Sequence, residues 1–282
     1  ATSVALAYVE GIVDGERFRA DLTAAAAATP VVIVKGGATA GGARAAASHT
    51  GSLTTNDRVF DGLCQQAGAT RAATVEEAFD AAAAFATQPL PQGNRVAVVT
   101  TAGGWGVVTA DAVTRHRDLE LAALPPDLCA SLDELLPPRW SRNNPIDLAG
   151  GETRDTIPAV LERVATHPEI DAVVYLGIGI QANQARMMRN GEFFPDHGLE
   201  RIVDFHERQD ARYAQCAYEA SVATGKPVLV ASELAVAFPD NAGPAATRQL
   251  GQMCFPSADR AVTALGHLWR RARYLQRRGH TW

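Results

Sequence analysis

Apolar residues in this chain fall into short unbroken runs, separated by longer stretches in which they recur every three or four positions. The clearest runs are Val4–Val9, Val31–Val34, Arg95–Thr100, Ala172–Leu176 and Val228–Ala231. A run without polar alternation predicts a strand buried on both faces, as in a parallel sheet with helices on either side. Pro30 and Pro227 stand just before two of the runs, where a missing N–H costs little. The alternation of strand-type and helix-type segments predicts an α/β fold built from parallel sheets.

The helical segments carry their own boundary signals. From Asn56 to Ala67, the residues Val59, Phe60, Leu63, Cys64 and Ala67 share one stripe, and Gly68 follows as a stop. Thr74-Val75-Glu76-Glu77 has capping-box spacing and predicts a helix running to about Thr87. Ser257 is expected to cap a last amphipathic helix with Ala261, Leu265 and Trp269 on its inner face. The arginines between Arg270 and Arg278 read as a solvated helix end. Between Gln88 and Asn94, two prolines and a glycine break every pattern. The expected organisation is therefore one domain over 1–88, a linker at 89–94 and a second domain over 95–282. Each domain holds a similar phrase, Thr29-Pro30-Val31-Val32-Ile33-Val34 and Gly225-Lys226-Pro227-Val228-Leu229-Val230, which hints at related units. The small first domain and the immediate entry into an apolar run predict that the chain is a piece of a longer polypeptide.

Bulk composition excludes several classes of function. The formal net charge of -5 over 282 residues predicts no nucleic acid and no anionic membrane as partner. No apolar run approaches the roughly 20 residues of a spanning helix, and no signal peptide is visible. Four cysteines, Cys64, Cys129, Cys216 and Cys254, are scattered without a CxxC pair. In a chain this long they suggest reduced thiols and a cytoplasmic setting, not a disulfide frame or zinc site. Lys35 and Lys226 are the only lysines among many arginines and alanines, a bias expected of a GC-rich genome.

One segment combines small residues with a reactive one. Gly36-Gly37-Ala38-Thr39-Ala40-Gly41-Gly42 leaves a strand directly and leads through Ala43–Ala47 to Ser48-His49-Thr50-Gly51-Ser52-Leu53. Such a run suits a mobile loop or an anion cradle, because backbone N–H groups stay accessible. A lone histidine is usually structural or merely exposed, but packing explains one poorly among these neighbours. A serine-hydrolase triad lacks its G-x-S-x-G elbow. A metal site lacks a second ligand at helical or hairpin spacing. Phosphoryl acceptance fits His49 better, since neutral imidazole is nucleophilic near neutral pH and a carboxylate on its other nitrogen would aim it. Glu10, ending the strand in Tyr8-Val9-Glu10-Gly11, supplies such a carboxylate, although a solvated strand-end acid would read the same way. Thr100-Thr101-Ala102-Gly103-Gly104-Trp105-Gly106 joins a strand to a helix expected to start near Gly106, which offers N–H groups to an anion. The same turn gives two of the three glycines of a dinucleotide fingerprint. Thr109 holds the third position and no acidic residue closes a second strand, so that reading is weak.

In this order, Tyr-Val-Glu-Gly, Val-Lys-x-Gly, Ser-His-Thr-Gly-Ser-Leu, Ala-Gly-Gly-x-Gly and Asn144-Pro145-Ile146-Asp147-Leu148, the sequence resembles the NDP-forming acyl-CoA synthetases, relatives of succinyl-CoA synthetase. The resemblance covers essentially the whole chain. It implies two flavodoxin-like domains of the succinyl-CoA-synthetase type, with His49 as the phosphorylated residue and Glu10 as its positioner. Ser48, Thr50 and Gly51 beside it, Gly103, Gly104 and Gly106 at one of two phosphate-holding helix ends, and Asn144 and Asp147 nearby complete the implied site. It further implies CoA and ATP or ADP with Mg²⁺ as cofactors, bound mainly by a CoA-binding domain and an ATP-grasp domain or subunit. The other implied partners are phosphate, a short-chain or aromatic carboxylic acid with its acyl phosphate, and a possible homo-oligomeric copy. Departures from the pattern are Trp105, where the family has proline, and the segment 181–206. Trp105 is expected either to alter the substrate pocket or to stand on its rim. Met187, Met188, Phe193 and Phe194 are expected to pack as an inserted lid, with an acyl pocket as the alternative. A synthetase-like regulatory module of a protein lysine acetyltransferase, without ligase activity, is the rival function, and a piece that binds nothing tightly by itself is the third.

Overall fold

The structure is a computed structural model that describes residues 2–50, 56–148, 150 and 154–279, with their side chains except those of His49 and Thr50. It divides into two compact units, residues 1–86 with 270–282, and residues 87–269.

In the first unit, β1 (Ala5–Val9), β2 (Val31–Lys35) and β3 (Thr70–Ala72) form a parallel sheet in that order. Four helices belong to it: α1 (Gly15–Ala28), α2 (Ala40–Thr50), α3 (Asp57–Ala67) and α4 (Val75–Thr87). Alternate residues of β2 serve opposite faces. Val31 and Ile33 pack with Leu22 and Ala26 of α1 and with Phe60, Cys64 and Ala67 of α3, while Val32 packs with Ala72 and with Ala78 and Ala81 of α4. The helix signals are realised in full. Asn56 caps α3 by accepting from the N–H groups of Arg58 and Val59, and Gly68 ends it in the left-handed region at φ 79°. Thr74 Oγ1 accepts from Glu77 N at 3.1 Å while the Glu77 carboxylate reaches back to Ala73 N at 3.0 Å.

The second unit orders its strands β5-β4-β7-β8-β9, all parallel, with β6 beside β4. These are β4 (Arg95–Thr100), β5 (Glu120–Leu121), β6 (Ile146–Asp147), β7 (Ala172–Leu176), β8 (Val228–Ala231) and β9 (Cys254–Phe255). Counted along the sheet this is the 2-1-3-4-5 order of flavodoxin-like folds, whose ligand crevice opens between the first and third strands, here β4 and β7. Helix α5 (Gly103–Arg115) leaves β4, and α6 (Pro126–Asp133), α7 (Thr156–Thr166), α8 (Ile180–Arg189), α9 (Leu199–Thr224), α10 (Leu234–Ala237) and α11 (Ala242–Gln249) follow in chain order. One face of the sheet buries Ala97, Val99, Val173, Tyr175, Val228 and Val230 against Leu128, Leu161, Val164 and Tyr213. The last helix, α12 (Ala258–Arg277), passes α5, where His116 closes on Gly266 and Arg115 pairs with Asp259.

The two proline phrases prove equivalent in detail. Pro30 accepts from Ala5 N and Pro227 accepts from Val173 N, both at 2.9 Å. Each proline thus opens its strand with a carbonyl in the ladder and no N–H to lose. The basic tail departs from expectation. Arg271 is buried, its guanidinium reaching the Gly68 carbonyl and lying against the Tyr274 ring, whose hydroxyl donates to Ala67 O at 2.9 Å. Trp269 is only half-buried, and the inner face of α12 is carried by Ala261, Leu265, Leu268 and Ala272. All four cysteines are free, and burial pushes the thiols of Cys64 and Cys254 up to about 11 and 12, so both are protonated at neutral pH.

Candidate functional site

In the first unit, the carboxyl ends of β1 and β2 bring Glu10 and Gly36 together. Gly36 N donates to Val9 O at 2.9 Å, and the Tyr8 hydroxyl donates to Glu10 Oε1 at 3.0 Å. That bond to a carboxylate raises the Tyr8 phenol above its usual range. The Tyr8–Glu10 pair lies over Gly36 so closely that a Cβ there would stand 2.4 Å from the phenol oxygen and 3.2 Å from Glu10 Cγ. Glycine is what lets the carboxylate sit at the strand end. Below it, the Lys35 ammonium is 3.8 Å from Asp57, which also pairs with Arg71, and 5.7 Å from the centre of the Phe60 ring. Lys35 is therefore a neutralised core residue.

The segment after Gly36 corrects the expected loop. Only Gly36 to Thr39 turn. Thr39 Oγ1 accepts from Gly42 N at 3.1 Å, and the chain is helical from Ala40 to Thr50. Alanine at four of the five positions 43–47 outweighs two glycines, because alanine has the best helix propensity. His49 lies on the last turn of α2, and the Ser48 hydroxyl donates to Ala45 O at 2.8 Å. The side chains of His49 and Thr50, and the whole of Gly51, Ser52 and Leu53, lie outside the described residues.

In the second unit, the end of β4 brings the glycines of the predicted turn next to Asp147. Helix α5 begins at Gly103, three residues before the expected start, so Gly103, Gly104 and Gly106 form its first turn. Its cap residue, Ala102, offers no side chain, and Gly106 N makes the first helical bond, to Ala102 O at 3.2 Å. The N–H groups of Gly103, Gly104 and Trp105 precede that bond and make the positive end of the helix dipole. The three glycines do different work. A Cβ at Gly103 would stand 2.6 Å from Asp147 Oδ2, and one at Gly106 would stand 2.9 Å from Thr100 Cγ2 and 3.1 Å from Pro145 Cβ. A Cβ at Gly104 meets nothing within 4 Å, so this is the open side of the helix end. Asp147 thus stands beside the first residue of α5. Next to it, Gly177 (φ 107°) packs against Thr101, whose buried hydroxyl has no hydrogen-bond partner among the described residues.

Asn144 is not at that opening. It is buried, accepts from Val98 N at 2.9 Å and donates to Val96 O and Ala122 O at 2.8 and 2.9 Å. It stitches β4 to the chain after β5, with both polar atoms committed to backbone. Trp105 is 40% exposed and forms the rim of a small cavity of about 60 Å³ with Leu176, Glu233 and Asp259. Met187 and Phe193 are 66% and 62% exposed, with the Phe193 ring edge-on to His197, whereas Met188 and Phe194 are half-buried. Asp210 is the residue the sequence reading missed. It is fully buried and accepts from Ala182 N at 2.6 Å at the start of α8, while its other oxygen has no hydrogen-bond partner among the described residues. Burial pushes its carboxyl up to about 6 against the helix N–H groups that oppose the shift. The available signal was an acid on the apolar stripe of α9, beside buried Tyr213 and Ala214.

Residues 1–85 match the succinyl-CoA ligase like flavodoxin domain, and residues 96–182 match the ligase-CoA domain. The chain carries these two ligase domains in tandem. It is 38% identical over 167 residues to the alpha subunit of acetate–CoA ligase [ADP-forming] II of Pyrococcus furiosus, covering 59% of this chain and 36% of that one. It is 37% identical over 131 residues to the 4-hydroxybutyrate–CoA ligase [ADP-forming] of Nitrosopumilus maritimus, covering 46% and 18%. A solved relative is the Ca. Korarchaeum cryptofilum dinucleotide-forming acetyl-coenzyme A synthetase 1 in complex with phosphate and ADP. It superposes with a TM-score of 0.74 at 27% identity, over 100% of this chain and 56% of that one. The chain therefore spans about a third or less of the curated relatives named here and about half of the solved one. The two domain matches agree with the two parallel sheets and with the flavodoxin-like strand order of the second.

Proposed function

We propose that this chain is the phosphoryl-carrying part of an acid–CoA ligase that interconverts acyl-CoA, NDP and phosphate with acid, CoA and NTP. The observation that carries the proposal is the tandem of two ligase modules that retains Ser48-His49-Thr50-Gly51 in one and an uncapped glycine helix end in the other. In the acyl-CoA direction, phosphate displaces the thiolate from the acyl carbon, giving acyl phosphate and CoA. An imidazole nitrogen of His49 then takes the phosphoryl group and releases the carboxylate. Transfer from His49 to NDP regenerates the imidazole and yields NTP.

Within this scheme Glu10 holds the ring in one tautomer and orientation, as a carboxylate does for a nucleophilic or general-base histidine. Its own position is set by the Tyr8 hydroxyl and by the absence of a side chain at Gly36. The first turn of α5 offers N–H groups to a phosphate-bearing species, and Gly104 leaves the approach open. Asp147 limits how that end is shared. NDP and Mg²⁺ supply the phosphoryl acceptor and its charge neutralisation, and CoA supplies the thiol. Among the described residues no cluster of three His, Cys, Asp or Glu side chains suits a resident metal.

Acyl-CoA-dependent incorporation of labelled inorganic phosphate into the full-length protein tests this scheme. Glu10→Gln should slow incorporation on the order of a hundredfold or more, because a mis-set tautomer removes the nucleophilic nitrogen. Incorporation at the wild-type rate would remove Glu10 from the reaction.

A further inference from the structure

The second unit holds a cleft of about 400 Å³ that the phosphoryl chemistry does not use. Its walls come from α8, from α9 around Glu207, and from the turn between α10 and α11. These elements follow β7 and β8, at the carboxyl end of the sheet, where α/β folds seat their ligands. The volume is within the roughly 300–1,000 Å³ typical of small-molecule sites.

The charges on the walls define what fits. Arg186 lies over Phe238, its guanidinium carbon 3.6 Å from the ring centroid. This contact fixes one face of the guanidinium and leaves its edge N–H groups for a ligand. Arg189 forms a two-pronged pair with Glu207, at 3.1 and 3.2 Å, and so adds no net charge. Asn241 is committed to the turn, donating to Gly179 O at 2.9 Å and accepting from Gly243 N at 3.1 Å. One cation and one carboxylate on the walls are left without an ion-pair partner among the described residues, Arg186 and Asp240. Alanine side chains and the Phe238 ring supply the remaining surface.

We infer that this cleft binds a free amino acid with an apolar or aromatic side chain. Its carboxylate is held by Arg186, its ammonium by Asp240, and its side chain lies on Phe238 and the alanines. A simple organic acid would meet Arg186 but also the Asp240 charge, and a simple amine would meet the reverse. Only a ligand with both signs matches a wall set whose formal charges cancel. The inference stands apart from the ligase chemistry, because binding is measured without turnover.

Calorimetric titration of the intact protein with phenylalanine, leucine, phenylpropionate and phenethylamine tests it. Phenylalanine and leucine should bind, and each singly charged analogue should bind on the order of tenfold more weakly than phenylalanine. Arg186→Gln should weaken phenylalanine about tenfold and leave phenethylamine unchanged, and Asp240→Asn should weaken phenylalanine while sparing phenylpropionate. Both side chains are exposed, so thermal melting should match wild type and confirm that the variants are folded. Absence of saturable binding of either amino acid into the millimolar range would overturn the proposal. So would phenylpropionate binding as tightly as phenylalanine, or phenylalanine affinity unchanged by Arg186→Gln.

Discussion

At the scale of single residues, the same motif separates into side chains that hold the site and side chains that face it. Asn144 and Asp147 stand three positions apart in one short phrase, yet Asn144 turns into the sheet and Asp147 turns to the end of α5. Asn144→Ala removes the side-chain partner of Val98 N and Ala122 O, while Val96 O keeps its bond from Ala122 N, a loss of about 1–3 kcal/mol. Urea denaturation should show that loss, while phosphate affinity of the folded protein stays within a few-fold of wild type. A large change in affinity with unchanged stability would assign Asn144 to the ligand after all. Gly103→Ala and Gly104→Ala form a second contrast. The first forces a methyl group onto the Asp147 carboxylate, whereas the second enters open space. Overpacking of the first kind costs about 1–3 kcal/mol, so Gly103→Ala should lower the melting temperature more than Gly104→Ala does. The sequence identified these residues by motif but did not separate their roles, because strand-to-strand stitching by a side chain leaves no periodic trace.

At the scale of elements, legibility followed the strength of local signals. Three of the five predicted strands match residue for residue, and α3 begins and ends on its predicted cap and glycine. Removing the Thr74 hydroxyl in Thr74→Ala should cost about 1 kcal/mol, read from thermal or urea unfolding. Helix α2 was missed because glycine and small residues suggest a loop and its apolar stripe is only alanine, with Ala46 the one buried residue among those described. Segment 181–206 was misread for a different reason. A run of Met and Phe suggests packing, but only Met188 and Phe194 are half-buried while Met187 and Phe193 face outward, and no local pattern fixes which face a tertiary neighbour will cover. The buried acid beneath α8 carries a pH signature. Asp210 titrates near 6 in the fold against an ordinary value of 3.8. The fold therefore binds the extra proton, and this stability is fully present below about pH 4 and is lost as pH rises through 6. Asp210→Asn should flatten the stability profile between pH 4 and 6, an effect on the order of 3 kcal/mol. A profile that keeps its wild-type slope would show that Asp210 is not the titrating group.

At the scale of the whole chain, the sequence pointed to parallel α/β architecture, two related units and a ligase family, and the repeated proline phrase has a physical basis in both sheets. The boundary between units is finer than a linker shows, since residues 270–282 group with the first unit through Arg271 and Tyr274. An arginine-rich tail gave no hint of this, because the stem of a buried arginine packs like an apolar residue while its charge reads as solvated. The central claim concerns His49, on the last turn of α2. Incubating the full-length protein with γ-labelled ATP and Mg²⁺ should place an acid-labile, base-stable label on His49, and His49→Ala should abolish it. Equal labelling of His49→Ala, or none in the wild-type protein, would contradict the account.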